Sequence, residues 1–143
     1  MTSAYCRSGG SLWRNNGNGT FTDVAALAGY SSQKMHGDVD GLGARALCQW
    51  AALPEDFDND GDMDVAQMLV HGGLDPEEGR SVISVNQGPD NGYSLVWDLN
   101  RIRRDDPQSF HLGDEDGAWF DMDNDGWLDL AIAQCVYVPA TDR

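Results

Sequence analysis

The sequence predicts an all-β fold of antiparallel strands, and three observations carry that reading. The first is composition. Of 143 residues 17 are Gly, and the 24 acidic residues are 20 Asp and only 4 Glu, beside a single lysine, Lys34. Helix surfaces favour Glu and Lys, whereas Asp and Gly favour turns and cation sites. The second is patterning: apolar residues come in short runs bounded by Asn, Asp and Gly clusters, as strands do. The third is an acidic motif that occurs twice, each time leading into a short apolar run.

The elements follow in chain order. Residues 11–15 and 20–24 form a hairpin across Asn16-Gly17-Asn18-Gly19, because Asn and Gly supply the positive φ of tight turns. Val24-Ala25-Ala26-Leu27-Ala28 is one short helical turn. Residues 31–43, with Gly37, Gly41 and Gly43, read as a loop. Strands follow near 47–53 and 64–70, joined by the first acidic motif. A second hairpin pairs 81–87 with 93–98 around Gln87-Gly88-Pro89-Asp90-Asn91-Gly92. Residues 101–116, carrying Arg101, Arg103, Arg104, Asp105, Asp106 and Pro107, read as a polar loop. Strands near 117–121 and 128–134 flank the second acidic motif. One domain accounts for a chain of this length, with core enough to fold.

The composition excludes several functions. A formal charge of −15 is the opposite of a nucleic-acid footprint. No apolar stretch approaches the roughly 18–20 residues of a membrane span. Residues Met1 to Arg7 have neither a basic n-region nor an apolar h-region, so the chain is expected either to avoid that secretory route or to be a mature or excised piece. Cys6, Cys48 and Cys135 form no CxxC pair. Buried thiols, or one disulfide using Cys48 with Cys6 or Cys135, both fit. Asn18-Gly19-Thr20 has the form of a glycosylation acceptor and equally of a hairpin turn. His36, His71 and His111 share no spacing, and Asp38 and Asp40 lack a fourth ligand. No nucleophile–base pair or phosphate loop is present, so no catalytic residue is assigned and a non-enzymatic role is expected.

The acidic motif carries the chemistry. Asp56-Phe57-Asp58-Asn59-Asp60-Gly61-Asp62-Met63-Asp64 and Asp121-Met122-Asp123-Asn124-Asp125-Gly126-Trp127-Leu128-Asp129 both read D-x-D-N-D-G-x-x-D, 65 residues apart. Repetition on this scale marks propellers, solenoids or arrays. Asp at positions 1, 3, 5 and 9, with Gly at 6 for the turn and a carbonyl at 7, offers an oxygen cage. Ca²⁺ takes six to eight oxygens in flexible geometry, while Mg²⁺ demands a stricter octahedron. The first Ca²⁺ site is therefore expected from Asp56, Asp58, Asp60 and Asp64 with the carbonyl of Asp62. The second is expected from Asp121, Asp123, Asp125 and Asp129 with the carbonyl of Trp127. An EF-hand would need Glu at position 12, where Gln67 and Ile132 stand.

With both features in view, the chain resembles the FG-GAP/VCBS repeat family, as found in integrin α-subunit propellers and secreted proteins, and most closely its cartilage-acidic-protein-like branch. Leu12-Trp13-Arg14-Asn15-Asn16-Gly17-Asn18-Gly19-Thr20-Phe21 and the two Asp loops carry the likeness, with Gly117-Ala118-Trp119-Phe120 leading into the second loop. The second hairpin departs from it, with Val85-Asn86-Gln87-Gly88 in place of R-N-N-G. The resemblance implies β-propeller blades of four antiparallel strands with Ca²⁺ between strands one and two. About two blades' worth are present in one segment, 1–143: a half blade over 11–30, a full blade over 44–99 and a half blade over 117–138. The implied function is a calcium-binding, structural or adhesion-type protein, extracellular or at the cell surface. It either self-associates head-to-tail by strand addition, as ring or filament, or continues into covalent neighbouring blades. Two other classes stay open: a ligand- or carbohydrate-binding module using Trp13, Trp97 or Trp127, and the propeller fragment of an enzyme.

Overall fold

The computed structural model describes residues 10–30, 48–70, 81–98, 100–102 and 111–136. They form eight strands and one short helix. β1 (Trp13–Asn15), β2 (Phe21–Asp23) and α1 (Ala25–Ala28) come first. β3 (Cys48–Glu55), β4 (Asp64–Val70), β5 (Val82–Asn86) and β6 (Leu95–Asp98) follow, then β7 (His111–Phe120) and β8 (Asp129–Val136). All pairings are antiparallel, so the all-β expectation holds. Among the described residues no helix is long and apolar enough to cross a membrane.

β4 is the centre. It pairs with β3 from Glu55↔Asp64 to Cys48↔Val70 and with β5 through Val65↔Ser84, Ala66↔Ile83 and Gln67↔Val82. β5 in turn pairs with β6, giving a four-strand meander. The β7–β8 hairpin joins through one bridge, Val70↔Gly113, and β1–β2 form a separate pair. Residues 64 to 69 are all buried, so β4 is covered on both faces. That explains its nearly continuous apolar run, since only strands exposed on one face need to alternate.

The two faces of β4 pack against different neighbours. Val65 meets Ala25, Tyr30 and Leu95, with Leu12 and Ala52 at the margin. Ala66 and Met68 meet Ile83, with Trp119, Leu130, Ile132 and Phe57 packed around them. Phe57 and Trp119 stack at 5.9 Å, and the Trp119 indole N–H donates to the Leu53 carbonyl at 3.2 Å. Polar side chains inside the sheet find one another. Gln67 Nε2 donates to Ser84 Oγ at 2.6 Å, Gln49 Nε2 to Tyr30 Oη at 2.6 Å, and Ser81 Oγ to Asp114 Oδ2. The last bond ties β7 to the residue that leads into β5. Burial pushes the Tyr30 phenol above its ordinary pKa.

The first hairpin is closed by Asp23, whose Oδ1 accepts the N–H of Ala25 at 3.0 Å and of Leu12 at 3.3 Å. Those donors, Ala25 first, hold its carboxyl below the usual range. Gly29 ends α1 at φ 78°, and a Cβ there would stand 2.5 Å from the Leu95 carbonyl, so only glycine lets the helix end sit on β6.

One difference from the sequence reading appears. Residues 111–116, expected as part of a polar loop, are the first half of β7. Their sequence His-Leu-Gly-Asp-Glu-Asp lacks a strand signature, but β8 extends to Val136 and supplies a partner, with register shifts at His111/Gly113 and Asp114/Asp116 that absorb the misfit. The second hairpin, whose turn departs in sequence from the first, closes through a 3-10 element, Pro89–Asn91. The expected loop at 31–43 and Cys6 lie outside the described residues.

Truncating the centre should be costly. Met68 is fully buried, so Met68→Ala should lower stability by about 2–5 kcal/mol in urea unfolding, by lost transfer energy and a cavity. Val96→Ala, at a side chain 52% exposed, should change it by less than about 0.5 kcal/mol.

Candidate metal centres

Each Asp motif forms the connection of one hairpin, β3–β4 or β7–β8. The hairpins share a register 65 residues apart: Leu53↔Ala66 and Glu55↔Asp64 in one, Ala118↔Ala131 and Phe120↔Asp129 in the other. Inside the loops the first Asp acts as a clamp. Asp56 accepts the N–H groups of Asp60 and Gly61, both at 3.0 Å. Asp121 accepts those of Asp125 and Gly126, at 3.1 and 3.0 Å. These bonds close only if the chain doubles back. Asn59 and Asn124 do so at φ 59° and 60°, and Gly61 and Gly126 at 91° and 89°. Asn and Gly are the residues that enter this region most cheaply.

The folding gathers two trios of carboxylates. Oxygens of Asp56, Asp58 and Asp64 lie within 4.8 Å of one another, and so do those of Asp121, Asp123 and Asp129. Two ligands of one Ca²⁺ at 2.3–2.6 Å can be at most about 5.2 Å apart, so both trios have the span of a single ion's shell. Asp60 and Asp125 lie outside the trios. Each turns Oδ1 onto the N–H two residues on, of Asp62 and of Trp127, at 2.9 Å in both cases. Asp62 is half-buried and the Trp127 side chain is exposed; neither belongs to a trio.

The first trio is the more buried. Asp64 is fully covered, and its Oδ1 accepts the Asn86 N–H at 2.7 Å. Its Oδ2 and Asp58 Oδ1 are buried with no well-formed hydrogen bond, the Phe57 amide lying close to the Asp64 carboxyl without closing one. Burial above all pushes the Asp64 carboxyl above its ordinary range. The Asn86 amide opposes this, the negative charges of Asp58 and Asp60 add to it, and the Phe57 amide opposes it again. Asn86 also donates from Nδ2 to the Met63 carbonyl at 3.1 Å. This residue is missing from the sequence-derived set because its contribution is a backbone N–H, which no side-chain pattern announces. In the second trio Asp129 is half-buried, and its Oδ2 accepts the Met122 N–H at 2.8 Å.

The residues fit a hard divalent cation. Buried carboxylate oxygens without donors are costly unless something positive sits between them. The donor set is all oxygen, which suits Ca²⁺, Mg²⁺ or Mn²⁺ rather than a thiolate metal. Of the weaker sequence candidates, His36, His71, Asp38 and Asp40 lie outside the described residues. The backbones of His111, Cys48 and Cys135 lie in strands. Comparison with family models, curated proteins and solved structures finds no match to this chain.

Asp64→Asn separates the cost of the cluster from its use. Without divalent ions the variant should melt above the parent, because a buried charge facing Asp58 and Asp60 is removed. With Ca²⁺ present it should melt below the parent, having lost a ligand. Differential scanning calorimetry with chelator and with Ca²⁺ reads both signs.

Proposed function

We propose that this chain is a non-enzymatic, calcium-binding β-propeller segment of structural or adhesion type, working outside the cell or at its surface. The reading takes β3–β6 as one four-stranded blade, β1–β2 as strands three and four of a preceding one, and β7–β8 as strands one and two of a following one. The segment completes its blades by head-to-tail self-association, as ring or filament, or with covalent neighbours. The observation that carries the calcium role is the pair of buried, donor-less oxygens, Asp58 Oδ1 and Asp64 Oδ2, inside a trio spanning one ion's shell. Ca²⁺ supplies a fixed positive centre and no redox chemistry. The packing of Ala25 and Tyr30 against Val65, and of Trp119, Leu130 and Ile132 around Ala66 and Met68 on the other face of β4, supports the blade reading.

The role follows from the charge. Two divalent ions would bring the formal charge from −15 to −11, and they neutralise the loops at the ends of strands that form the core. In this reading the ion is a structural pin that locks two strand connections.

A specific observation favours one second reading, a ligand-binding module. A groove of about 380 Å³ opens between the first hairpin and the β5–β6 turn, lined by Leu12, Trp13, Arg14, Leu27 and Tyr93 among others. Trp13 and Tyr93 are half exposed there, and Tyr93 holds φ at 57°, a costly conformation for a bulky residue. Carbohydrate protection of Trp13 fluorescence would favour that reading over the structural one.

Chelation is the direct test. Ligand at a hundred times Kd adds about 2.7 kcal/mol per site, so each loaded site should raise Tm by roughly 10 °C for a chain of this size. Asp58→Ala and Asp123→Ala should each remove about half of the calcium-dependent rise. A melting curve indifferent to excess chelator, with no metal by elemental analysis, rejects the reading.

A further inference from the structure

The two Asp loops differ in what bonds their last carboxylate, and the difference points to what completes the second. In the first loop the third strand of the sheet, β5, reaches back: Asn86 N–H bonds Asp64 Oδ1, and Asn86 Nδ2 bonds the Met63 carbonyl. In the second loop Asp129 Oδ2 is bonded by Met122, but among the described residues no donor reaches Asp129 Oδ1. β8, the counterpart of β4, pairs with β7 alone among the described strands. The second site therefore has the place of a third strand, and of one asparagine, still to fill.

β1 has the form of that strand. Asn15 Oδ1 accepts the Gly17 N–H at 2.9 Å, and Asn86 Oδ1 accepts the Gly88 N–H at 3.1 Å, so both asparagines open the same side-chain-stabilised turn. Asn16 N–H bonds the Thr20 carbonyl and Val24 N–H the Leu12 carbonyl, just as Gln87 N–H bonds the Ser94 carbonyl. Antiparallel strands alternate the direction of their backbone groups. Leu12 and Asn16 thus face β2, and Trp13 and Asn15 turn their N–H groups to the outer edge of the hairpin. No described strand pairs with that edge. Asn86 and Ser84 turn theirs in the same way toward β4. Trp13 is half exposed and Asn15 exposed, so both are available.

We infer that the second metal site is composite: β1 of another copy of this chain adds to the outer edge of β8, and its Asn15 N–H caps Asp129 Oδ1. This rests on the calcium and self-association reading above and gives it a register. Carrying the β4–β5 pairing across, Asp64 onto Asp129 and Asn86 onto Asn15, places Leu130 opposite Trp13, Ala131 opposite Leu12 and Ile132 opposite Ser11. Asn15 Nδ2 then meets the Leu128 carbonyl, as Asn86 meets Met63. The second copy is favoured as occupant because one chain carries both complementary edges, and because Leu12 and Trp13 bring apolar side chains opposite Ala131 and Leu130. The contact is heterologous, so it propagates or closes. Since the site gains its cap only in the assembly, Ca²⁺ binding and assembly must favour each other.

The test is directed cross-linking of the full chain, in a background where Cys6, Cys48 and Cys135 are serine. Leu12 and Ala131 would form a non-hydrogen-bonded pair, whose short Cα separation suits a disulfide. A Leu12→Cys chain mixed with an Ala131→Cys chain should cross-link under mild oxidation in Ca²⁺ and lose the cross-link in chelator. Arg14→Cys with Ala131→Cys, two residues out of register, should not cross-link. Asn15→Pro removes the outward-facing N–H together with the side-chain acceptor of the Gly17 N–H and should lose assembly in light scattering, whereas Asn15→Ala, which removes the side chain and keeps the N–H, controls for the turn and should still assemble. A monomer at high protein concentration in Ca²⁺ overturns the inference, while a retained calcium-dependent rise in Tm leaves the calcium reading standing. Assembly with cross-linking only through Arg14→Cys overturns the register and the Asn15 cap but not self-association. Loss of the Tm rise as well removes the calcium reading itself.

Discussion

The structure turns on the burial of one carboxylate. Asp64 is the last residue of an acidic loop and the first of β4, the strand covered on both faces. Its position couples the loop to the core. One oxygen is held by the backbone of β5, so the carboxylate cannot swing out to water without breaking the sheet edge. The other oxygen lies buried beside Asp58 with no donor. Water is excluded, like charges are near, and the strand that fixes them also carries Ala66 and Met68 into the largest apolar cluster. Whatever neutralises the loop therefore acts on the packing of the sheet as well as on a surface turn.

The two loops show how one local sequence gives different energetics in different surroundings. The clamp bonds of Asp56 and Asp121, the φ values and the hairpin registers match residue for residue, while the Met122 N–H bond to Asp129 Oδ2 has no counterpart at Asp64 Oδ2. The larger difference is the neighbour. Asp64 has β5 beside it and is fully buried, whereas Asp129 is half-buried with only β7 alongside. The motif fixes the ligand geometry, and the adjoining strand decides how dry, and so how strongly interacting, the carboxylates become.

Much of this was legible beforehand. Turn chemistry located the hairpins, since Asn15, Asn16 and Gly17 do locally what their residue types allow, and the spacing of the Asp residues located both trios. The start of β7 was not legible, because His111 to Asp116 read as a polar loop and are held as strand by the far end of β8 and the Val70 bridge, which are tertiary. Asn86 was not legible as part of a site, because it acts through its backbone. The Ser81–Asp114 bond joins residues 33 positions apart that carry no shared motif. The Asp60 and Asp125 side chains turn back onto their own loops, which ligand spacing alone does not distinguish from pointing inward.

The account stands on the claim that both Asp trios are cation sites. Counting Ca²⁺ bound per chain by equilibrium dialysis, after exhaustive removal of metal and at free Ca²⁺ well above saturation, tests that claim without reference to stability or assembly. The account predicts two ions per chain. No ion retained above the level of a dialysed acidic control protein would contradict it.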